Sequence, residues 1–191
     1  MKKALIAIIA TIYVIALVIV SFLGIKAEVP SEFTYIDEIV LNNEDLYRPN
    51  AEKIPENRIV HVYKRPDASQ IDERGVGITD RVNWDFNGVR RDYAIYIEDY
   101  FYYYEMISNT YTIKTSVKPE NASDKKLKFT LSATSKVQEY LTMSEYTDSC
   151  EINFLEESKT TKNWFDADIK VKAQDMSEVE IVILLKVTGY N

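Results

Sequence analysis

The chain has 191 residues and a formal charge of −7, and 46% of its residues are hydrophobic, which is enough for one domain with a sizeable core. The acidic balance argues against nucleic-acid binding, because phosphate groups are neutralised by Lys and Arg. Cys150 and His61 are the single cysteine and the single histidine. The sequence therefore excludes an intrachain disulfide and a zinc site of the His/Cys type.

The first element in chain order is an uncharged apolar segment at residues 4–25. As a helix, its 22 residues would be about 33 Å long, which matches the roughly 30 Å of a bilayer's hydrocarbon core. Fourteen of them are Leu, Ile, Val or Phe, which favours insertion by several kcal/mol. Lys2 and Lys3 precede the segment, so the positive-inside rule puts the N-terminus in the cytoplasm. We predict one N-terminal transmembrane helix that holds the remaining chain outside the cell.

The alternative is a signal peptide cleaved near Ala27. The apolar segment is longer than the roughly 7–15 residues usual in signal peptides, which favours an uncleaved anchor. Both interpretations export the remaining chain. Residues 1–26 carry three of the 23 basic residues and none of the 30 acidic ones, so residues 27–191 carry 20 basic against 30 acidic residues, a charge of −10. This charge favours solubility beside an anionic envelope and argues against lying flat on anionic lipid.

The first part of the exported chain is irregular. The segments "FTYIDEIVL" (33–41) and "RIVHVYKR" (58–65) are typical of strands. The polar stretches between and after them contain Pro49, Pro55 and Pro66 and are predicted to be long loops or an insertion. Within them, "DASQIDER" is compatible with one short helical turn.

An aromatic block follows, which we interpret as a strand from Tyr93 to Tyr103. Successive side chains of a strand point to opposite faces. The more apolar face, assigned to the core, comprises Tyr93, Ile95, Ile97, Asp99, Phe101 and Tyr103. The other face would be a ladder of four tyrosines, which are the candidate ligand-binding residues: Tyr96, Tyr100, Tyr102 and Tyr104. Two interpretations stay open for this ladder, namely cross-strand packing beneath the inserted region and an exposed platform for a sugar ring or a protein partner.

The C-terminal half alternates between apolar and polar residues in five runs, which predicts an all-β, antiparallel sandwich. These runs are "YTIKTSV" (111–117), "KLKFTLS" (126–132), "SCEINFLE" (149–156), "ADIKVKA" (167–173) and "EVEIVILLKV" (178–187). Cys150 alternates with Ile152 and Phe154, so it is expected to be a small core residue. The alternative for this residue is a reactive thiol or an intermolecular disulfide.

The segment "YTIKTSVKPENASDKKLKF" (111–129) resembles bacterial Ig-like domains of the group-2 type. In that family a strand runs into a Pro-Glu/Asp-Asn-Ala-Thr/Ser turn, followed by lysines and a strand of the form Val-x-Trp or Val-x-Phe. Here Pro119, Asn121, Lys126 and Phe129 occupy this pattern. The segment "FDADIKVKAQDMSEVEIVILLKV" is similar to the family's last two strands, and "IDEIVLNN" is similar to its opening strand, displaced upstream by an insertion.

The resemblance is strongest over residues 93–188. The chain departs from the family in two places, since it lacks the usual mid-domain Asn-Gly turn and the glycine before the penultimate strand. The resemblance implies an Ig-like sandwich of the kind found in adhesins and membrane-anchored, Gram-positive-type bacterial cell-surface proteins, often as a spacer. It carries no catalytic residues over to this chain.

Other candidate chemistry in the sequence is weak. His61 has no second histidine or cysteine near it, and Asp166 and Asp168 share a strand face without a glycosidase signature. One loop has four acidic residues whose carboxylates suit Ca²⁺, namely Asp67, Asp72, Glu73 and Asp80. Their spacing does not match an EF-hand loop. We therefore expect no catalytic residue, no metal and no cofactor.

Together these patterns predict two parts, an N-terminal membrane anchor (1–27) and an extracellular β-sandwich domain (28–191). The expected function is that of a single-pass, membrane-anchored extracytoplasmic Ig-like module for binding, adhesion or scaffolding. The alternative is an exported glycan-binding module that uses the tyrosine ladder. The expected partners are the membrane, through residues 4–25, and a protein or a cell-wall glycan, whereas nucleic acid is excluded. A cell-wall enzyme is disfavoured by the scarcity of histidine and cysteine.

Overall fold

The computed structural model describes residues 32–48, 58–134, 136–160 and 165–189. The predicted anchor at residues 4–25 and the alternative cleavage site near Ala27 lie outside these ranges. The pattern of contacts within the chain divides it into two units, Met1–Phe33 and Thr34–Asn191. The sandwich belongs to the second unit. In the part of the chain that the structure describes, no helix is long and apolar enough to cross a bilayer.

The described ranges contain twelve strands, two short α-helices and two 3-10 turns. The strands are β1 (Glu38–Leu41), β2 (Leu46–Tyr47), β3 (Arg58–Lys64), β4 (Asp85–Phe86), β5 (Val89–Arg90), β6 (Tyr93–Ile97), β7 (Thr110–Lys118), β8 (Leu127–Ser132), β9 (Leu141–Glu145), β10 (Ser149–Phe154), β11 (Phe165–Ala173) and β12 (Glu180–Val187). The helices are α1 (Tyr100–Met106) and α2 (Glu156–Thr160), and the 3-10 turns are Ala68–Gln70 and Val137–Glu139.

Two sheets enclose one hydrophobic core. The first has the order β1-β7-β10-β9 and the second the order β2-β3-β6-β12-β11-β8. Pairing is antiparallel throughout both sheets except between β6 and β12, which are parallel. The same core cluster contains Ile113 and Ile152 from the first sheet and Ile95 and Ile183 from the second. The predicted all-β sandwich is therefore confirmed.

Alternation along the strands explains which side chains enter this core. In β7 the odd-numbered residues from Tyr111 to Val117 are buried, and in β11 the odd-numbered residues from Phe165 to Ala173 are buried. Complete burial of a side chain such as Ile183 contributes about 1.5–3 kcal/mol to stability. Strand β12 departs from this rule, because Val182 and Leu184 on its other face are buried as well. A strand covered on both faces has to be apolar on both faces.

The predicted insertion supplies the cover over this second face. Strands β2 and β3 extend the six-stranded sheet, and the chain that follows β3 folds back over the sheet's outer side. There Val82 and Trp84, both fully buried, form a second apolar cluster with Ala94 and Leu184. The short helical turn predicted in "DASQIDER" is observed as the 3-10 turn Ala68–Gln70.

The predicted strand from Tyr93 to Tyr103 is wrong beyond its first half. Strand β6 ends at Ile97, Asp99 has a left-handed backbone with φ 52°, and helix α1 begins at Tyr100. Helical spacing brings Tyr100 and Tyr103 to one face, and both are buried. Tyr100 packs edge-on against Phe154, at the end of β10, with 5.2 Å between ring centres. The aromatic block therefore closes one end of the sandwich, and this burial outweighs the β propensity of tyrosine.

A buried carboxylate ties the start of the sandwich to the β11–β12 turn. Asp175 is 2% exposed and accepts hydrogen bonds from the backbone N–H groups of Ile36 and Ser177. Burial raises the pKa of Asp175, but the hydrogen bonds from Ser177 and Ile36 outweigh this effect, and the pKa lies below its ordinary value. Nearby, Thr34 and Ser123 exchange two hydrogen bonds of 2.9 Å. The segment before β1 is thus held by two turns.

The first prediction concerns Asp175→Asn. At neutral pH it should lower the free energy of unfolding by about 1–3 kcal/mol, because an amide cannot replace a carboxylate that accepts from two N–H groups. The folded-state pKa is lowered, so the carboxylate's contribution is complete above the ordinary value of 3.8 and disappears as the pH falls through the lowered value. Urea unfolding should therefore show a stability difference between wild type and variant that shrinks in acid.

The matched control is Asp124→Asn, because Asp124 also accepts from a backbone N–H, that of Lys126, but does so at an exposed turn. This variant should unfold like the wild type within about 0.5 kcal/mol. A stability difference for Asp175→Asn that stays constant down to about pH 2 would contradict the assigned role of its charge.

Candidate ligand-binding surface

The four tyrosines of the predicted ladder do not share one surface. Tyr96 lies on the outer face of β6 and is partly exposed, as the strand pattern predicts. Tyr100 is 1% exposed in the core, and Tyr102 and Tyr104 pack partly buried against the same core. The ladder is absent because the chain turns at Asp99 and continues as a helix.

The buried tyrosines of α1 have structural partners. The Tyr100 hydroxyl lies 2.6 Å from Ser158 Oγ, and Ser158 is completely buried. Tyr103 donates a hydrogen bond of 2.7 Å to the Thr110 carbonyl. Burial raises the pKa of Tyr100 far above its usual value and raises the pKa of Tyr103 to about 12. Both side chains are therefore neutral and act within the core.

Tyr96 belongs to an aromatic group on the outer face of the six-stranded sheet. Register places His61 of β3 and Lys186 of β12 on either side of it. The Lys186 Nζ lies 5.1 Å from the centre of the Tyr96 ring, and Tyr63 meets that ring edge-on at 5.4 Å. His61 stacks on Tyr63 with 6.0 Å between ring centres, and its Nε2 lies 3.3 Å from Glu98 Oε2. These contacts fix the orientation of the Tyr96 ring.

An ion pair holds the inserted segment against β11. Arg91 is 4% exposed, and it donates from Nε and Nη2 to the two carboxylate oxygens of Asp168 at 2.6 and 3.1 Å. Its Nη1 donates to the Asn83 carbonyl at 2.7 Å. A bidentate pair of this kind is strong and directional. The segment that ends at Arg91 is therefore fixed in one position on the sheet.

The β4–β5 hairpin projects from this segment over the sheet. Its two-residue turn, Asn87-Gly88, has φ angles of 51° and 78°, as a type I′ turn requires. The turn leaves Phe86 and Val89 side by side, 48% and 37% exposed. The Arg91 guanidinium carbon lies 5.7 Å from the centre of the Phe86 ring, so the ring sits beside the ion pair.

Beneath the hairpin lies a groove along the outer face of β11, which we call the hairpin groove. It consists of two adjoining cavities of about 280 and 460 Å³ that share Val89, Ser132 and Asp168 in their walls. Phe86 and Asp166 both line the smaller cavity. Polar and charged side chains also line the groove, among them Asn87, Arg90, Thr134, Lys170 and Glu180. The groove thus combines one exposed aromatic ring with short polar side chains.

The sequence does not predict this groove, because the polar stretches around Pro49, Pro55 and Pro66 are interpreted as long loops or an insertion. One signal was present, since Asn-Gly between apolar residues is the strongest short-range indication of a hairpin, and Asn87-Gly88 lies between Phe86 and Val89. The ion pair between Arg91 and Asp168 joins residues far apart in the chain, and no local pattern indicates it.

Two carboxylates of the acidic loop are engaged by the protein itself. Asp72 accepts from the Arg74 side chain and from the Val76 N–H, and Asp80 accepts from the Val82 N–H. The carboxylate of Asp80 also lies 3.2 Å from the indole nitrogen of buried Trp84. Within the described ranges, no group of three or more His, Cys, Asp or Glu residues is arranged to hold a metal ion.

Cys150 is a core residue, as the alternation of β10 predicts. It is completely buried, and burial raises the pKa of its thiol to about 12. At neutral pH the side chain is therefore a protonated, inaccessible thiol.

Comparisons of the chain with protein-family models, with curated proteins and with solved structures found no match.

The second prediction concerns Arg91→Lys. Lysine cannot form the bidentate pair with Asp168 and also reach the Asn83 carbonyl. The inserted segment should open more often, and trypsin should cut after Arg74 and Arg81 about tenfold faster, as peptide mapping by mass spectrometry would show. The control is Arg90→Lys, because Arg90 has a side chain that is 73% exposed. Equal cleavage rates in both variants would contradict the role assigned to Arg91.

The third prediction concerns the thiol of Cys150. In the folded chain it should react with Ellman's reagent at least about a hundredfold more slowly than free cysteine, because it is buried and protonated. In guanidinium chloride one thiol per chain should react at the normal rate. Rapid reaction of the folded chain would show that Cys150 is accessible.

Proposed function

We propose that the chain is a single-pass, membrane-anchored extracytoplasmic Ig-like module that acts by binding, adhesion or scaffolding and not by catalysis. The observation that carries this proposal is the strand order of the two sheets. In constant-type Ig domains one sheet has the order A-B-E-D and the other contains C, F and G.

The strand orders of this sandwich support the Ig-like assignment. If β1, β7, β10 and β9 are taken as A, B, E and D, the first sheet has the Ig order. The second sheet contains β8-β11-β12, which then correspond to C-F-G. Strand β6 continues this sheet beside β12, and β3 and β2 extend it further.

The positions of the residues that resemble group-2 domains give further support. The turn that begins at Pro119 joins β7 to β8, which are the B and C strands in this assignment. Phe129, in the place of the family's Trp or Phe, is 2% exposed in the core. The insertion lies between β1 and β6, in agreement with an opening strand displaced upstream.

Export and anchoring are inferred from the sequence. The apolar segment at residues 4–25 is long enough to span a bilayer, and the remaining chain carries a charge of −10. Binding is favoured over catalysis because the thiol of Cys150 is buried and protonated, and because the carboxylates of Asp72 and Asp80 are already engaged by the protein.

The alternative function, an exported glycan-binding module, is favoured by a different surface from the one expected. The tyrosine ladder is absent, whereas the hairpin groove offers the exposed ring of Phe86 together with polar side chains. Anchoring and glycan binding are compatible, because residues 4–25 and the groove are separate parts of the chain.

The fourth prediction concerns display at the cell surface. In cells that produce the full chain with a C-terminal epitope tag, protease added to intact cells should remove the tag, while a cytoplasmic marker survives. Mass spectrometry of the membrane fraction should show a chain that begins near Met1 if the anchor is uncleaved, and near Glu28 if it is cleaved.

The control is Leu17→Asp, because a charge near the centre of the apolar segment costs about 2.5–3.5 kcal/mol of insertion free energy. The tag of this variant should be removed less efficiently and should be found less often in the membrane fraction. A tag that resists protease on intact cells and is digested only after lysis would overturn the proposed location.

A further inference from the structure

We propose that the hairpin groove binds an uncharged glycan of two or three pyranose rings. This inference rests on the proposed function as an exported binding module and names the class of its ligand.

The aromatic wall of the groove suits a sugar ring. Phe86 exposes about half of its surface, and the hairpin turn fixes its position. The C–H groups on one side of a pyranose ring form an apolar face, which packs well on a flat aromatic ring. Val89, 37% exposed, lines both cavities and continues the apolar wall from one cavity into the next.

The other wall offers hydrogen-bonding groups for the hydroxyls of the sugar. Asp166 lines the smaller cavity, and its carboxylate oxygens can accept hydrogen bonds from sugar hydroxyls. Asn87, Ser132 and Thr134 line the same cavity with side chains that both donate and accept. An aromatic ring and a carboxylate in the wall of one cavity can together satisfy the apolar and the polar side of a sugar.

The charges around the groove favour an uncharged ligand. Arg91 is paired with Asp168, and the Lys170 Nζ lies 3.3 Å from the Glu180 carboxylate. The third cation, Arg90, lies 3.9 Å from the carboxylate of Asp92. Each basic group that lines the two cavities is thus close to a carboxylate, and Asp166 adds a negative charge to the wall, so an acidic sugar would meet repulsion there.

The neighbouring edge strand argues against an extended peptide as the ligand. Peptides that add a strand to a sheet need unpaired main-chain groups along its edge. Strand β8 is the edge strand beside the groove, and its outward N–H groups at Leu127 and Phe129 already donate to the Thr147 carbonyl and to the Glu145 carboxylate. Two of the N–H groups that a peptide would use are therefore occupied.

The size of the groove sets the length of the glycan. Ligand sites usually have volumes of about 300–1,000 Å³, and the two adjoining cavities measure about 280 and 460 Å³. Their shared wall at Val89, Ser132 and Asp168 lets one ligand extend from the first cavity into the second. We infer two or three linked rings, with one ring on Phe86.

The fifth prediction tests this assignment with the full chain in a polyoxyethylene detergent, since a maltoside would compete for the groove. Isothermal titration calorimetry would measure binding of cellotriose, of the N-acetylglucosamine trimer and of trigalacturonic acid. At least one of the two neutral trisaccharides should bind, and the acidic one should not. Phe86→Ser and Asp166→Asn should each weaken that binding about tenfold.

Two further variants serve as controls. Tyr146→Ser removes an aromatic side chain of similar exposure, 54%, on the β9–β10 turn, and it should bind the sugar like the wild type. Phe86→Tyr keeps the ring and should retain binding, which separates loss of stacking from loss of folding at this position. Thermal melting of every variant provides the check on folding.

Three results would overturn the inference. The first is that neither neutral trisaccharide binds to the wild type. The second is that Phe86→Ser and Asp166→Asn both bind as tightly as the wild type. The third is that trigalacturonic acid, or a tetralysine peptide tested in the same way, binds more tightly than the neutral sugars. The surface-display experiment is independent of all three, so its success would leave the proposed function intact if glycan binding fails.

Discussion

The two central strands of the six-stranded sheet, β6 and β12, carry apolar residues on both faces, and this constraint shapes the rest of the molecule. One face packs against the four-stranded sheet, and the other would expose Ala94 and Leu184 to water if nothing covered it. The inserted segment covers it with Trp84, and the Arg91–Asp168 pair holds the segment in place. Because Arg91 is 4% exposed, loss of its partner would leave a buried charge uncompensated. The Arg91–Asp168 pair therefore specifies one position for the inserted segment on the sheet.

The hairpin groove forms where the inserted segment ends on the outer face of the sheet. The segment shields only part of the outer face, and the β4–β5 hairpin marks its border above β11. A ligand surface made in this way has one wall on a sheet strand and one wall on a paired hairpin. Side chains held by rigid elements lose little conformational freedom on binding, which lowers the free-energy cost of capturing a ligand.

The aromatic block has a different part in the structure. A sandwich is open at its ends, where strands stop and apolar side chains of the last residues would meet water. Helix α1 closes one end by placing Tyr100 between the ends of β10 and β11, and the hydrogen bond to Ser158 satisfies its hydroxyl in this dry site. Tyrosine suits this position because it combines a large apolar ring with a polar tip that needs only one partner.

The sequence by itself determined the sandwich strands and the faces that they bury, because alternation is a local property and each strand buries the side its apolar residues occupy. It placed Ile113, Cys150 and Ile183 in the core for this reason. Only the tertiary structure decided that Tyr100 begins a helix, that Asp175 holds the segment before β1, and that Arg91 meets Asp168. Each of these depends on groups distant in the chain, and the free energy gained by burying or pairing them exceeds the local backbone preference.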